Sequence, residues 1–366
     1  MTEKLETTQK ARIYLAPLDG LRFVAFVLVS FHHAGPPQGS ALLNDISVRG
    51  WMGVDLFFVI SSFLFFTLFR AEFDRTERID VRNFFIRRLL RIYPLMIAAP
   101  IAMMALTWGT YDLSQALREL GQIAFFADNL FYLPGFARAI PYMGHLWTLS
   151  FEFQIYLVLP ALFIASARLR TAHALLLLGV IWAAAICARS YYALASTPHP
   201  LIYLSPWLRP DSIIVGLAIA LVIPKGHIRI AGGALVAAGL FIALLPNVDI
   251  AGWTNIPLFV AVAVASGALL WLCLCWQRAS NVLSHPSMVY LGKISFGLYV
   301  VHVPILAGVQ WALLSLPGLP PPVYWTVMYL GTLGCSTLVA AIIYRYFERP
   351  FLLIKDRHAA VLSRAA

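Results

Sequence analysis

Residues 18–35 read LDGLRFVAFVLVSFHHAG, and this stretch decides the fold. It is apolar enough to enter a bilayer, yet Arg22 stands near its start and His32 and His33 near its end. Ionisable groups inside an apolar segment are costly in lipid, so they face a protein interior or a water-filled cavity. At about 1.5 Å of rise per residue, Arg22 and His33 lie roughly 16 Å apart along a helix axis. Eleven residues make about three turns, so both side chains point to nearly the same face. One face thus carries a fixed cation near one membrane surface and an imidazole near the other.

Composition agrees. Of 366 residues, 60% are hydrophobic and only 12% are charged, with a mean hydropathy of +0.78. A soluble domain would carry about twice that charge. The net charge of +10 sits in short loops between apolar runs, which serves membrane orientation and excludes a nucleic-acid partner. The polar first 16 residues give no sign of a cleavable signal peptide. Four cysteines, Cys187, Cys273, Cys275 and Cys335, all fall in apolar segments. Cys273 and Cys275 project from different helix faces, so neither a disulfide framework nor a metal site is expected.

Ten runs are long enough to suggest membrane helices: 18–35, 54–69, 93–108, 146–167, 174–194, 206–223, 230–245, 256–276, 294–316 and 323–346. Residues 115–131 are apolar on one side only and read as a helix lying at the interface. The expected fold is all-α, a polytopic transmembrane bundle of about ten helices. Positive charge marks the cytoplasmic side. It gathers in the N-terminal tail (Lys4, Lys10, Arg12), in Arg70, Arg75, Arg78, Arg82, Arg87, Arg88 and Arg91, in later alternate loops, and in the C-terminal tail. Both termini are therefore expected in the cytoplasm, as tails over residues 1–16 and 351–366 flanking a membrane domain at 17–350.

Depth then sorts the polar residues. With the first helix running outward, His33 lies near the outer surface. Asp55, at the start of the next helix, and His145, Ser150 and Glu152, in the fourth, are expected at a similar level. An imidazole near carboxylates is the arrangement of a general base, since the carboxylate fixes the tautomer and stabilises the imidazolium. His33, Asp55 and Glu152 are therefore the candidate catalytic group. His32 is a rival that the sequence does not separate from His33, and Asp55 could equally cap its helix. His302 is an intramembrane residue and a minor candidate. Arg88 and Arg91 are three apart on one helical face and could clamp a phosphate, although RRLLR at 87–91 also reads as a plain stop-transfer cluster. Trp147 and His145 could as well be interface anchors.

These residues resemble the membrane acyltransferase family three, polytopic O-acyltransferases of bacterial surface glycans and some small molecules. The family's basic residue, ten residues, then histidine matches Arg22 and His33, which favours His33 over His32. GVDLFFVISSFL at 53–64 is similar to the family's GVDxFFxxSGFL, with Ser62 in place of glycine. RLLRIYP matches RxxR before YP, through Arg88 and Arg91. HLWTLSFE resembles HxWSLxxE, through His145, Trp147 and Glu152 with Thr148 for serine. ISFGLYVVH resembles SYxxYLxH, through Ser295, Tyr299 and His302 with Phe296 for tyrosine.

The resemblance implies transfer of an acyl group, most often acetyl, from cytoplasmic acyl-CoA to a hydroxyl on the outer side of a bacterial inner membrane. Acyl-CoA is a co-substrate and no permanently bound cofactor is implied. Arg22, Arg88 and Arg91 would hold the CoA, while His145, Trp147 and Ser150 would line the acceptor side. His33 would act as general base or as an acylated intermediate. Lipopolysaccharide, other surface polysaccharides and macrolides are all family acceptors. About twenty residues follow Tyr346, so the chain is expected to be the membrane domain alone, with any second transfer step left to a separate partner. The competing reading is a secondary transporter for a small anion or sugar derivative, which predicts inverted repeats that the sequence does not display. The oligomeric state stays open, a homo-oligomer among the options.

Overall fold

The computed structural model describes residues 13–37, 40–131, 138–314 and 318–357. Among them there are helices and turns but no strand. In chain order the helices are α1 (Ala16–His33), α2 (Ala41–Arg49), α3 (Gly53–Thr76), α4 (Val81–Leu106), α5 (Leu113–Ala124), α6 (Trp147–Ala167), α7 (Thr171–Leu194) and α8 (Leu201–Leu204). They continue as α9 (Asp211–Val222), α10 (Ile228–Leu244), α11 (Asn255–Cys275), α12 (Gln277–Leu283), α13 (Pro286–Lys293), α14 (Ser295–Leu314), α15 (Pro321–Ile343) and α16 (Arg349–Arg357).

Local sequence sets many of these ends. Pro17 opens α1, where its missing N–H costs nothing, and Asp19 in the first turn meets the positive end of the helix dipole. Asp80 accepts from the Asn83 N–H to cap α4, and Asp112 from the Gln115 N–H to cap α5.

Every one of the ten expected runs falls on a helix. Seven stretches are long and apolar enough to cross a membrane: Ala41–Thr76, Val81–Leu106, Gly144–Ala167, Thr171–Leu194, Asn255–Cys275, Ser295–Leu314 and Pro321–Ile354. The other three runs fall on α1, α9 and α10. The clearest difference from expectation is at 206–223. Pro206 and Pro210 hold the start open and α9 begins only at Asp211. Its 12 residues span about 18 Å, short of the roughly 30 Å of a hydrocarbon core. The expected interfacial helix is present as α5, ending at Ala124 because Phe126 takes a positive φ.

The architecture is that of an integral membrane protein with α3 at its centre. From Val54 to Phe66 every residue except Phe57 is buried, as a helix enclosed on all sides requires. It packs against α1, α6, α9 and α11. Lipid tails are as apolar as leucine, so close helix contact depends on small residues. A Cβ on Gly292 of α13 would lie 1.8 Å from the Asp19 carbonyl oxygen, and one on Gly53 would lie 2.4 Å from that of Ala25. Both glycines press neighbouring backbone onto α1. The Ser62 departure is compensated the same way. Ser62 donates to the Phe58 carbonyl at 2.7 Å, and α9 presents Gly216, where a Cβ would meet Ser62 Oγ at 2.1 Å.

Two enclosed ion pairs fasten the far side of α3. Arg189 of α7 holds Asp211 of α9 at 2.5 and 3.0 Å, and Trp182 donates to the same carboxylate at 2.7 Å. Arg209 holds Asp55 of α3, and Ser212 donates to the other Asp55 oxygen at 2.7 Å.

Candidate active site

Five elements surround a cavity with about 1000 Å³ of empty space, its open mouth included. Helical periodicity supplies its walls. Arg88, Arg91 and Ile92 face it from α4, Thr148, Glu152 and Tyr156 from α6, and Ser295 and Tyr299 from α14. Spacings of three and four put each set on one face. Arg22 enters from α1, and α3 contributes Phe57, Ser61 and Phe65. The three arginines expected at a CoA site are thus brought together.

Their charges are not equally matched. Arg22 bonds Asp19 at 2.9 Å. Arg91 reaches Glu348 at 3.4 Å and the Lys293 carbonyl at 3.5 Å. Its guanidinium also stands 5.5 Å from the centre of Phe296, which takes a cation on its ring face where the family's tyrosine would add a hydroxyl. Arg88 has no carboxylate within 4.0 Å among the described residues. It lies over the Phe65 ring at 4.1 Å, with a buried Nε that has no hydrogen-bond partner. Glu152 interacts electrostatically with both Arg88 and Tyr156. The lining therefore carries three guanidinium groups against one carboxylate, Glu152, and Arg88 makes no salt bridge among the described residues, a setting for an anion.

Beyond the cavity lies a cluster of three imidazoles. His33 Nδ1 is 2.9 Å from His302 Nε2, and His302 Nδ1 is 2.7 Å from the Tyr299 carbonyl. His145 Nε2 is 3.2 Å from the Val300 carbonyl, while its Nδ1 is buried without a partner. Ring centres are 5.0 Å apart for His33 and His302, 5.0 Å for His145 and His302, and 6.1 Å for His33 and His145. None of the three lines the cavity. Between them and it, Thr148 donates to the Tyr299 hydroxyl at 2.7 Å, and that hydroxyl donates to the His145 carbonyl at 2.8 Å.

The expected carboxylate partners of His33 are elsewhere. Asp55 is bound by Arg209 and Ser212, so both of its oxygens are engaged away from the histidines. Arg209, although it lies in the loop before α9, is fully enclosed. Glu152 lies on the Arg88 side of Thr148. Seven residues separate it from His145, about 10 Å of helix, and it is His145 that shares the level of His33. Of the expected acceptor residues, Trp147 is buried in the core against Tyr203 and Phe151. Ser150 is also buried and donates to Asp128. The adjacent histidines are distinguished by their partners. His32 Nδ1 turns to the Ser47 carbonyl of α2 at 2.9 Å, and only His33 joins the cluster. Sequence reasoning underrated His302, although its place inside an apolar helix was the usable signal. It missed Tyr156, which follows Thr148 and Glu152 at four-residue intervals.

With that geometry in hand, comparison with known proteins is informative. A family model described as an acyltransferase domain matches residues 15–341. The chain is 26% identical over 371 residues to a Bacillus subtilis (strain 168) protein named "Putative peptidoglycan O-acetyltransferase YrhL", covering 92% of this chain and 55% of that protein. It is 25% identical over 370 residues to "O-acetyltransferase OatA" of Staphylococcus aureus (strain NCTC 8325 / PS 47), covering 95% of this chain and 58% of that one. The chain thus spans a little over half the length of these relatives. No solved structure matches it. The chain belongs to the membrane acyltransferase family three.

Proposed function

We propose that this member of the acyltransferase family three transfers an acyl group, acetyl in the first instance, from acyl-CoA to a hydroxyl of a surface glycan. The observation that carries the reading is the Arg88 guanidinium, without a salt bridge among the described residues, in an arginine-lined cavity that abuts the His33 cluster through Thr148 and Tyr299. Acyl-CoA is an anion with a long flexible arm. Its phosphates would rest on Arg88 with Arg22 and Arg91 beside them, and the arm would run along Phe57 and Phe65 toward Tyr299.

The loops rich in Lys and Arg support an orientation with the arginine end toward the cytoplasm and the His33 end toward the opposite face. Acceptor and donor then approach the same point from opposite sides of the membrane. His33 takes the proton of the acceptor hydroxyl as its oxygen attacks the thioester carbonyl. The C–S bond breaks, the thiolate takes the proton from the imidazolium, and the products are the ester and free CoA thiol. Thr148 and Tyr299 have to part for the thioester to meet His33. Peptidoglycan is the acceptor to try first, because the Bacillus subtilis relative is named for it. The transporter reading has no comparable support once the family is known.

The test uses membranes carrying the full chain, radiolabelled acetyl-CoA and extracts of peptidoglycan and other surface glycans. Wild type runs beside His33→Ala and His32→Ala, with folding checked by detergent gel filtration. Label entering glycan with wild type and H32A, but not H33A, is expected. Equal labelling by all three removes His33 from the chemistry. Absence of both glycan labelling and thiol release across a panel of acyl-CoAs overturns the acyl-CoA reading.

A further inference from the structure

We propose that His302 is a positioning residue that holds His33 in the one tautomer able to act as a base, taking the part a carboxylate plays elsewhere. The inference deepens the proposed function and rests on His33 being the base.

Two hydrogen bonds fix the proton positions. The Tyr299 carbonyl only accepts, so the 2.7 Å contact puts a hydrogen on His302 Nδ1. A neutral imidazole carries one N–H, which leaves His302 Nε2 as a lone pair. The atom 2.9 Å from it, His33 Nδ1, must then be the donor. A neutral His33 that donates from Nδ1 has a bare Nε2, the atom a general base needs. Were His302 charged, both its nitrogens would donate. His33 would then accept at Nδ1 and carry its hydrogen at Nε2, where it could take no proton. Charge on His302 is disfavoured by its setting. It is fully enclosed, it has no ion pair among the described residues, and the edge of Phe26 packs against its ring at 5.6 Å. The titratable groups around it are His33 from α1, His145 from the turn before α6 and Tyr299 from α14. None is an anion.

The backbone thus sets the tautomer at one remove. The Tyr299 carbonyl has a second lone pair with which to accept from His302. Pro304, which has no N–H, leaves the Val300 carbonyl four residues before it open to His145 Nε2. The Tyr299 hydroxyl is the one that bolts Thr148 to His145. One residue joins the closure of the donor cavity to the orientation of the base.

The experiment compares kcat and KM for acetyl-CoA in membranes carrying wild type, H33A, His302→Phe and His302→Gln. Phenylalanine keeps the ring's bulk and removes the acceptor, whereas the glutamine amide oxygen reaches the position of Nε2 and can accept from His33 Nδ1. The expected result for H302F is a kcat lower by about 10²-fold with KM for acetyl-CoA within about twofold. H302Q should recover about tenfold or more of that loss. A second measurement, nitrogen shifts of histidine-labelled wild type with the His33 signals identified by their loss in H33A, should show Nδ1 protonated and Nε2 bare. Wild-type kcat in H302F beside an inactive H33A overturns the inference and leaves the proposed function standing, as does the opposite tautomer in the spectrum. Full activity in H33A overturns His33 as base, and the inference with it.

Discussion

Asp55 of α3 and Arg209, two residues before α9, form an ion pair enclosed from solvent on both sides, with Ser212 donating to Asp55 and Arg209 donating to the Tyr203 carbonyl. Arg209 also stacks on Tyr203 at 4.4 Å and Phe259 at 4.7 Å. Removing one member leaves the other charge buried and unpaired, which costs about 3–5 kcal/mol. Asp55→Ala is therefore expected to lower the melting temperature of the detergent-solubilised protein sharply. The double variant Asp55→Leu with Arg209→Met should be more stable than either single change. A catalytic role for Asp55 would instead leave melting unchanged and abolish turnover.

Arg88 is expected to govern donor affinity. Losing a hydrogen bond from a charged group costs about 1.5–3 kcal/mol, so Arg88→Gln should raise KM for acetyl-CoA about 10- to 100-fold with a smaller change in kcat. Lysine restores charge without the guanidinium fork and should fall between. With acetyl-pantetheine, which lacks phosphates, wild type and Arg88→Gln should perform alike. A difference that persists with this donor removes the phosphate contact.

Gly216 marks the closest approach of α9 to α3. A Cβ there meets not only Ser62 Oγ but the Val59 carbonyl oxygen at 2.5 Å, which no rotamer change relieves. Gly216→Ala is expected to cost about 1–3 kcal/mol through backbone displacement, read as a lower melting temperature. Ser62→Gly should recover little of it, because the backbone clash remains. Full recovery would place the clash at the hydroxyl alone.

Glu119 of α5 accepts from the backbone N–H groups of Ala139 and Ile140 at 2.6 and 3.0 Å, pinning the segment that leads to His145. Burial raises its carboxyl above the ordinary value of 4.5, against the pull of those donors. A raised carboxyl favours the folded state while protonated in both states, and that contribution is lost as pH rises above about 4.5 and through the folded value. Glu119→Gln keeps an acceptor oxygen and cannot ionise. The stability of wild type relative to this variant should decline as pH rises from 4.5, measured by thermal melts. A flat difference would remove the assigned ionisation.

Much of this was legible in the chain. Arg22 and His33 lie on one face of α1 because helical geometry leaves no other arrangement, and the three-residue spacing of Arg88 and Arg91 carried both into the cavity. The partner of His33 was not legible. It stands 269 residues away, and topology gives a residue's depth but not which neighbour its helix turns toward. Depth itself was too coarse for Glu152, since about 10 Å of α6 separates it from His145. Nor does the sequence announce the burial of Arg209, since loops normally expose their cations. Here Pro206 and Pro210 fold the chain inward and deliver the guanidinium to Asp55.

The hydroxyl bridge between Thr148 and Tyr299 has a consequence for the cell as well as for the reaction. A continuous wet passage from the arginine mouth to the far face would short-circuit the ion gradients stored across the bilayer, and protons hop readily through files of water and imidazole. Under the proposed function, the closed bridge would keep the insulation of the membrane between turnovers. A thioester wedged between the two side chains would itself be the stopper during turnover, so the passage need never stand open to both faces at once.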